Sequence, residues 1–441
     1  MAKRVLALVP LIGLFAAGLA ILAAQYATQG ETWATNRANL HIHRGGAIAH
    51  AGTIYDRNNV VLAQTIDGQR TMPGSPVLRR ATLHAVGDPQ GMVATGAHTV
   101  FRSELVGFNR AGGLFSLIAN EQGNDVRLSM DARLNQLAFE QLRGRHGTVG
   151  VMNYITGEVI VMVSAPSYDP MNKPDNMAGN PAYEGVYLNR LLRGLYTPGS
   201  IFKVITAYAA LNHDPDVLQR EFTCTGRFAT GGGYVTCMAE HGTLDLAQAM
   251  RVSCNSVFAE LAVEFGSDAM RRASEALGFN QSFAASGVLL SPSRYPMGEL
   301  IPFDLGWAGI GQHTTLANPG HMMILMATIA NGGRGTFPVL TTASAPARFP
   351  ALQRTAMQID PVIAARLRET MRGVTAPAGL QLHGKTGTAQ VDDDQPHAWF
   401  VGFSMNPQLP YAIVVTVENA GFGAAQALPI ATRVLQAMQS D

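Results

Sequence analysis

The sequence predicts an α+β fold in which strands from both ends of one domain meet in a single antiparallel sheet. Two apolar strand patterns occur early, at about residues 148–153 and 158–164, joined by a Thr-Gly turn. Three more follow near the C-terminus, in HGKTGTAQ, HAWFVGFSM and YAIVVTVEN. Long helical patterns separate the two groups, so the early and late strands are expected to pair.

Composition limits the classes of function. The chain has 441 residues, of which 47% are hydrophobic, and its net charge is +1. This length predicts two or three domains of roughly 100–200 residues each. A nearly neutral balance gives no indication of a nucleic-acid or strongly acidic partner.

The N-terminus predicts a membrane anchor. Residues 5–24 contain no charged side chain and follow Lys3 and Arg4. A run of about 20 apolar residues is long enough to cross a bilayer, whereas the apolar region of a cleaved signal peptide usually has roughly 7–15. A signal peptide remains the alternative, because Ala23, Ala24 and Ala27 could form a cleavage site. In either case the rest of the chain is expected to lie outside the cytoplasm.

The segment 25–125 is predicted to form a small, irregular, β-rich module. Its clearest pattern is GTIYDRNNVVLAQT at 52–65, a strand-turn-strand sequence with Asp and Asn in the turn. A helical pattern starts near residue 126, with Asp131 placed to begin it. We therefore predict three segments: an anchor with its cytoplasmic tip at 1–24, the module at 25–125 and the α+β domain at 126–441.

Helical patterns occupy the middle and the end of the predicted domain. One carries LYTPGSIFKV, and a largely helical stretch covers 244–278 after a Gly-rich insertion with the sequence TGGGY. Another runs over 317–333 and ends in glycines, and the last covers 424–438.

A lysine in the first of these helices is unusual, because lysines are seldom buried in apolar surroundings without a partner. Ser200 follows the turn of Thr197, Pro198 and Gly199, and Lys203 lies three residues further on. Residues at this spacing share one face of a helix, so the amine can reach the hydroxyl. A buried amine with a lowered pKa can act as the base that activates a serine.

Two further motifs strengthen this interpretation. RVSCNSVFAEL contains Ser253 and Asn255 in an S-x-N pattern, and HGKTGTAQ contains Lys385, Thr386 and Gly387 on a predicted edge strand. S-x-x-K, S-x-N and K-T-G occur together, in this order, in penicillin-interacting serine enzymes.

On these motifs the chain resembles the class B, monofunctional penicillin-binding proteins, which are membrane-anchored peptidoglycan D,D-transpeptidases. The resemblance implies a serine β-lactamase or penicillin-binding transpeptidase-like domain with helices on both sides of its sheet. The module before it would be a dimerisation or pedestal-like module. His313 departs from the family, which commonly has Gly after I-G-Q. The conformation of this loop near the site is therefore put in question. The matching sequence blocks include IYDRNNVVLA, GEVIVMVSAPSYDP, LNRLLRGLYTPGSIFKV, IGQ, IANGG, GKTGTAQ and HAWFVGF.

The resemblance implies catalytic roles for three residues. Ser200 would be the acylated nucleophile and Lys203 its base. Ser253 would relay the proton toward the leaving D-alanine, with help from Lys385. β-Lactam antibiotics would be trapped as long-lived acyl-enzymes on the same serine.

It also implies substrate-binding roles. Asn255 would hold a peptide amide of the donor stem, and Lys385 and Thr386 would hold its terminal carboxylate, with the Thr388 hydroxyl as a further donor. Gly387 would let the strand approach the ligand closely. The implied partners are peptidoglycan stem peptides, lipid-linked nascent glycan and a SEDS-type glycosyltransferase in the membrane. No cofactor is implied.

Related functions remain open. A D,D-carboxypeptidase differs only in using water as the acyl acceptor. A non-catalytic scaffold is less compatible with three intact motifs. A β-lactamase would need a second base, and no E-x-x-L-N-like element occurs between Ser253 and Lys385.

The three cysteines have no paired C-x-x-C spacing, so no zinc site is predicted. Cys224 and Cys237 flank the Gly-rich insertion and are predicted to form a disulfide, with two unpaired thiols as the alternative. Cys254 is interpreted as a small buried apolar residue. Trp399 is predicted to be core. Structural or surface roles are predicted for the scattered histidines, His241, His313, His321, His383 and His397.

Overall fold

A five-stranded antiparallel sheet is the largest sheet in the computed structural model, which describes residues 2–34, 50–108, 123–342, 357–391 and 394–439. The late strand Tyr411–Val417 pairs with the early strand Gly147–Asn153, so the predicted pairing of early and late strands is confirmed. Across the sheet, the strands follow the order Leu382–Ala389, His397–Ser404, Tyr411–Val417, Gly147–Asn153 and Val159–Ala165.

Both faces of this sheet are covered by helices. Phe400 packs in one core cluster with Leu134 and Val434, from the helices Ala132–Leu142 and Gly423–Gln439. Trp399 and Phe403 belong to the other cluster together with residues of the helix Pro319–Ala330. Strands buried on both faces read as continuous apolar runs, and VIVMVSA at Val159–Ala165 is buried throughout. The expectation of helices on both sides is confirmed.

Side-chain caps begin the helices that pack on the sheet. The Asp131 carboxylate accepts a hydrogen bond from the Leu134 N–H at 2.9 Å, and Asn318 caps the helix Pro319–Ala330 through the His321 N–H at 3.0 Å. Every residue of Pro319–Ala330 is buried. Two positive-φ glycines, Gly332 and Gly333, follow its end, as the sequence predicted.

The predicted helical stretch at 244–278 consists of Leu246–Arg251 and Asn255–Ala276, and the second of these is interrupted by a kink at Gly266, which has a φ of 81°. They are separated by a turn at residues 252–254, in which Ser253 has a φ of 58°. This left-handed conformation cannot continue a helix, so the chain changes direction at the S-x-N motif.

A second, small sheet lies in the N-terminal region, with strands in the order Gln69–Thr71, Val61–Ile66, Ile54–Tyr55 and Val126–Arg127. The Asp56 carboxylate accepts hydrogen bonds from the N–H groups of Asn58 and Val60, both at 2.8 Å, and this closes the predicted turn. The predicted module boundary between 125 and 126 stays a prediction, and residues 35–49 and 109–122 of that module lie outside the described part.

Shorter elements connect these layers. Two small ribbons form the insertion: Phe222–Cys224 pairs with Gly242–Leu244, and Arg227–Ala229 pairs with Tyr234–Thr236. A third pairs Ala284–Ala285 with Val288–Leu289. Within the described residues, the remaining α-helices are Pro76–Val86, Ala97–Val100, Arg102–Leu105, Arg190–Arg193, Lys203–His213, Pro302–Gly309 and Pro361–Thr370. The 3-10 turns in the same part of the chain are Pro181–Tyr183, Gly199–Phe202, Val217–Gln219 and Ala378–Leu380.

The N-terminal helix Ala2–Ala34 contains one segment long and apolar enough to span a membrane. That segment covers Leu8–Gly30, has 23 residues and a mean hydropathy of 2.1, and its residues 8–29 are all exposed. An exposed apolar helix of this length is consistent with a bilayer anchor.

Candidate active site

Ser200 lies in a 3-10 turn, Gly199–Phe202, that leads directly into the helix Lys203–His213. Gly199 has a φ of 55°, and a side chain there would place its Cβ 2.6 Å from the Thr388 carbonyl oxygen. Its N–H donates to the Gly311 carbonyl at 2.9 Å. The turn is therefore held between the edge strand Leu382–Ala389 and the I-G-Q loop.

Lys203 is fully buried, and its amine is surrounded by hydrogen-bonding groups of the two serine motifs. Its Nζ lies 3.1 Å from Ser200 Oγ and 3.1 Å from Ser253 Oγ. The Ser253 carbonyl oxygen lies 2.6 Å away, and Asn255 Oδ1 lies 2.7 Å away. The structure thus places one amine between the predicted nucleophile and the S-x-N turn.

The S-x-N turn presents Ser253 and Asn255 toward Lys203. The left-handed φ of Ser253 is a strained conformation for a residue with a Cβ, and such strain of about 1–3 kcal/mol is concentrated at functional sites. The Asn255 side chain is fixed at both ends: Oδ1 accepts from Lys203, and Nδ2 donates to the Thr236 carbonyl at 2.8 Å. Thr236 belongs to the insertion, and no sequence pattern identified it.

Lys385 approaches the same serine from the edge of the five-stranded sheet. Its Nζ lies 2.9 Å from Ser253 Oγ and 2.9 Å from the Thr386 carbonyl oxygen. Only 4% of the side chain is exposed. The predicted residues Ser200, Lys203, Ser253 and Lys385 therefore form one continuous series of polar contacts.

The K-T-G strand packs closely on the nucleophile turn. A Cβ added to Gly387 would lie 2.8 Å from Ile201 Cγ2 and 3.0 Å from the Pro198 carbonyl oxygen. Only a glycine allows this approach. Thr386 and Thr388 are partly exposed, and the Thr388 hydroxyl oxygen accepts a hydrogen bond from the Gly423 N–H at 3.3 Å.

Burial perturbs both lysines. Burial first, and the positive charge of Lys385 second, lower the pKa of Lys203 well below its usual 10.5. Burial lowers the pKa of Lys385 to about 7. A lowered pKa makes the neutral amine more available as a proton acceptor, and for Lys385 it brings proton exchange close to neutral pH.

Supporting contacts fix the approach to Ser200. The Trp399 indole N–H donates to the Thr197 carbonyl at 3.1 Å, and its ring is fully buried. Trp399 is thus a core residue, as predicted, that also holds the turn before Ser200. His313, which departs from the family pattern, has a φ of 59°, a conformation that glycine adopts without strain. The loop thus places a residue other than glycine in a left-handed conformation.

The cysteine prediction was wrong. Cys224 and Cys237 are free thiols and form no disulfide. Instead, Cys224, Cys237 and Cys254 converge with His241, and the four ligand atoms lie within 4.8 Å of one another. These residues could hold a metal ion, although their spacing along the chain gave no such indication. Cys254 is fully buried, as expected, but its sulfur contacts polar groups of this cluster.

Comparison with known proteins identifies the family of this chain. Residues 147–436 match the family described as penicillin binding protein transpeptidase domain. The chain is similar to the peptidoglycan D,D-transpeptidase PbpA of Mycolicibacterium smegmatis, with 30% identity over 361 residues, 72% of each chain. It is also similar to the peptidoglycan D,D-transpeptidase MrdA of Acinetobacter baumannii, with 28% identity over 363 residues, 69% of this chain and 52% of that protein.

Solved structures share the fold. Pseudomonas aeruginosa PBP2 in complex with WCK 5153 superimposes with a TM-score of 0.76 and 26% identity, covering 89% of this chain and 96% of that chain. The penicillin G acyl-enzyme complex of penicillin-binding protein A from Mycobacterium tuberculosis gives a TM-score of 0.75 and 25% identity, covering 89% and 100%. The matched family segment contains all three motifs. The chain belongs to the penicillin-binding protein transpeptidase family.

Proposed function

We propose that this chain is a peptidoglycan D,D-transpeptidase that cross-links stem peptides through an acyl-enzyme on Ser200. One observation carries the proposal: the buried amine of Lys203 lies 3.1 Å from Ser200 Oγ and has a pKa lowered by burial and by a second lysine. The names of the PbpA and MrdA relatives support the same reaction.

The hydrogen bonds around Lys203 indicate how its lone pair is directed. A neutral amine donates two hydrogen bonds and accepts one. Two of its neighbours can only accept: the Ser253 carbonyl oxygen at 2.6 Å and Asn255 Oδ1 at 2.7 Å. If these take both N–H groups, the lone pair is left for a hydroxyl hydrogen, and Ser200 Oγ is within reach. The neutral amine is therefore oriented as a base.

In the proposed reaction, Ser200 Oγ attacks the carbonyl carbon of the penultimate D-alanine while Lys203 accepts the hydroxyl proton. The backbone N–H groups of Ser200 and Thr388 would stabilise the oxyanion. The peptide C–N bond then breaks, and Ser253, between the two lysines, passes a proton to the departing D-alanine amine. An amine of a neighbouring stem attacks the ester, which forms the cross-link and restores the serine.

Substrate recognition in this proposal uses the groups around Ser253. The terminal carboxylate of the donor would lie against the Lys385 amine and the hydroxyls of Thr386 and Thr388, because a cation and hydroxyl donors suit a carboxylate. Asn255 has one amide N–H left after its bond to the Thr236 carbonyl, and that N–H would hold a carbonyl of the donor peptide.

The test is covalent labelling of the purified full chain with fluorescent penicillin. The wild type and the matched control Ser282→Ala should be labelled, and Ser200→Ala should not. The label should persist for hours, because no E-x-x-L-N-like element, which would supply the base for hydrolysis, occurs between Ser253 and Lys385. Labelling of Ser200→Ala at the wild-type rate would overturn the nucleophile assignment.

A second assay separates the transpeptidase from a D,D-carboxypeptidase. A synthetic stem pentapeptide is supplied with and without a second stem that carries a free amine, and the products are resolved by mass. A cross-linked dimer is expected in the first reaction. Release of D-alanine with only hydrolysed product in both would show that water is the acceptor.

We also propose that the helix Ala2–Ala34 anchors the chain in the cell membrane by a single pass, with the catalytic residues outside the cytoplasm. The 23-residue apolar segment and the preceding Lys3 and Arg4 support this topology. An alkaline phosphatase reporter fused to the C-terminus should be active. If that fusion is inactive and a reporter that works only in the cytoplasm is active at the same position, the proposed topology is contradicted.

The last part of the proposal concerns the segment 25–125 and a partner. This segment would be a dimerisation or pedestal-like module and, with the anchor, would meet a SEDS-type glycosyltransferase that supplies glycan strands. The support is the family resemblance and the small four-stranded sheet that this segment forms together with Val126–Arg127. We expect the glycosyltransferase to co-purify with the full chain from detergent and to be lost when residues 1–125 are exchanged for another sequence. Co-purification that persists after the exchange would argue against this interface.

A further inference from the structure

Three thiols and one imidazole meet beside the S-x-N turn. Cys237 Sγ lies 3.8 Å from Cys254 Sγ, and His241 Nδ1 lies 3.5 Å from the sulfurs of both Cys224 and Cys237. Cys224 and Cys254 are buried, and the other two are partly exposed. Nothing in the proposed acyl transfer uses these groups.

Three of the six distances among the ligand atoms match the edges of a tetrahedron around a zinc ion. Zinc bonds to sulfur at about 2.3 Å and to imidazole nitrogen at about 2.0–2.1 Å. A regular tetrahedron with these bonds has S···S edges of about 3.8 Å and S···N edges of about 3.6 Å. The observed 3.8 Å and 3.5 Å fall on these values, and the three remaining distances are at most 4.8 Å.

The surroundings also suit thiolates. The Asn255 backbone N–H donates to Cys237 Sγ at 3.1 Å, and the Ser256 hydroxyl oxygen lies 3.5 Å from Cys224 Sγ. Donors of this kind around the ligands orient them and stabilise their negative charge. Three thiolates with one imidazole form a common structural zinc set, whereas hard cations prefer oxygen ligands.

We propose that Cys224, Cys237, His241 and Cys254 bind one Zn²⁺ ion in a closed, structural site, and that this ion positions the S-x-N turn for catalysis. The ligands come from the strand Phe222–Cys224, from the insertion after Tyr234–Thr236 and from the turn itself. The ion therefore joins the insertion to the catalytic turn.

The coupling to the active site is direct. Cys254 lies between Ser253 and Asn255, whose groups contact Lys203. Cys237 follows Thr236, whose carbonyl accepts from the Asn255 side chain at 2.8 Å. An ion bound to both cysteines holds Asn255 from two sides. A displacement of about 1 Å in a catalytic group can slow an enzyme about 10²-fold.

The first test measures metal on the full chain, purified in detergent without chelators and under anaerobic conditions. Elemental analysis should give about one zinc per chain, as a single tetrahedral site requires. Cys237→Ser and His241→Ala should lose most of this zinc. Because His241 is partly exposed, His241→Ala should fold normally, and its circular dichroism should match that of the wild type. Loss of zinc from this variant then cannot be attributed to misfolding. His213→Ala, which removes an exposed histidine outside the cluster, should keep the metal.

Several results would overturn the proposal. The purified chain could lack metal and show three thiols that react on denaturation, or contain a Cys237–Cys254 disulfide. It could also contain iron in place of zinc, or Cys237→Ser and His241→Ala could both keep the full zinc content. Cobalt substitution gives an independent reading, because a thiolate-rich tetrahedral site should produce sulfur-to-cobalt charge-transfer bands that Cys237→Ser weakens.

A second test asks whether the ion positions the turn. Removal of zinc by a chelator should slow acylation by fluorescent penicillin by about 10²-fold, and added zinc should restore it. An unchanged rate in demonstrably zinc-free protein would refute the positioning role. The metal content is measured without any substrate, so failure of the zinc site and failure of the proposed transpeptidase are distinguishable.

Discussion

The charge of Lys385 should set the pH at which Ser200 becomes reactive. The amines of Lys203 and Lys385 lie 3.1 and 2.9 Å from the same atom, Ser253 Oγ, so these distances bound their separation at 6.0 Å. A cation this close disfavours a second one. Replacing Lys385 by glutamine removes that repulsion, and the pKa of Lys203 should rise.

The structure gives the size of the effect. Two unit charges at 6 Å interact with about 3 kcal/mol at an effective dielectric constant of about 20, which corresponds to about 2 pH units. Burial remains the larger cause of the lowered pKa of Lys203, so it should stay below 10.5 in the variant. Lys385 keeps its proton up to about pH 7, and its charge therefore acts on the acidic limb of the profile.

The assay is the second-order rate constant for acylation by fluorescent penicillin as a function of pH. The rate rises as Lys203 loses its proton, because only the neutral amine can accept the hydroxyl proton. We expect the midpoint of this rise to move about 2 pH units upward in Lys385→Gln. Lys385→Arg keeps the charge and should leave the midpoint close to that of the wild type.

Weaker binding of the penicillin carboxylate in Lys385→Gln lowers the rate at every pH without moving the midpoint, so the two effects separate. A midpoint that is unchanged, or that moves downward, would refute the coupling of the two amines. An equal upward shift in Lys385→Arg would show that the shape of the lysine side chain, and not its charge, is responsible.

Two further outcomes follow from other parts of the molecule. Burial lowers the pKa of His321 from 6.5 to about 4, so the folded protein disfavours the charged imidazole. The free energy of unfolding is therefore highest above pH 6.5 and decreases as the pH falls toward 4, with a loss of about 2 kcal/mol at pH 5. Urea unfolding of His321→Gln should lack this loss. Equal pH dependence in both proteins would contradict this. Gly387→Ala should slow penicillin acylation by about 10²-fold, because its Cβ would lie 2.8 Å from Ile201 Cγ2. The control Gly298→Ala, which has open space around the added Cβ, should be labelled at the normal rate. Normal labelling of both variants would disprove the need for close approach of the strand.

Local patterns were sufficient for the sheet, because each strand carries its own signal. The apolar runs at Val159–Ala165 and His397–Ser404 are visible without tertiary information, and the order of the strands along the chain indicates how they pair. The three motifs likewise lie on short segments whose residue types are specific. Their convergence on one amine follows from the resemblance and not from spacing.

The cysteine cluster could not be predicted in the same way. Its ligands lie on three segments that are brought together only when the insertion folds back on the S-x-N turn, and the spacing 224, 237, 241 and 254 follows no short zinc pattern. The disulfide was predicted from redox compartment and sequence proximity alone. Both arguments ignore Cys254, which lies 3.8 Å from Cys237 in space and 17 positions away in the chain.

The middle position of the S-x-N motif acquires a meaning from this geometry. Ser253 adopts a left-handed φ so that its hydroxyl and carbonyl both face Lys203, and the next side chain is then directed away from the cleft. In this chain that side chain is a cysteine whose sulfur meets Cys237. The strained turn and the thiol cluster therefore share one residue, and any group bound by the thiols acts directly on the conformation that the serine and the asparagine require.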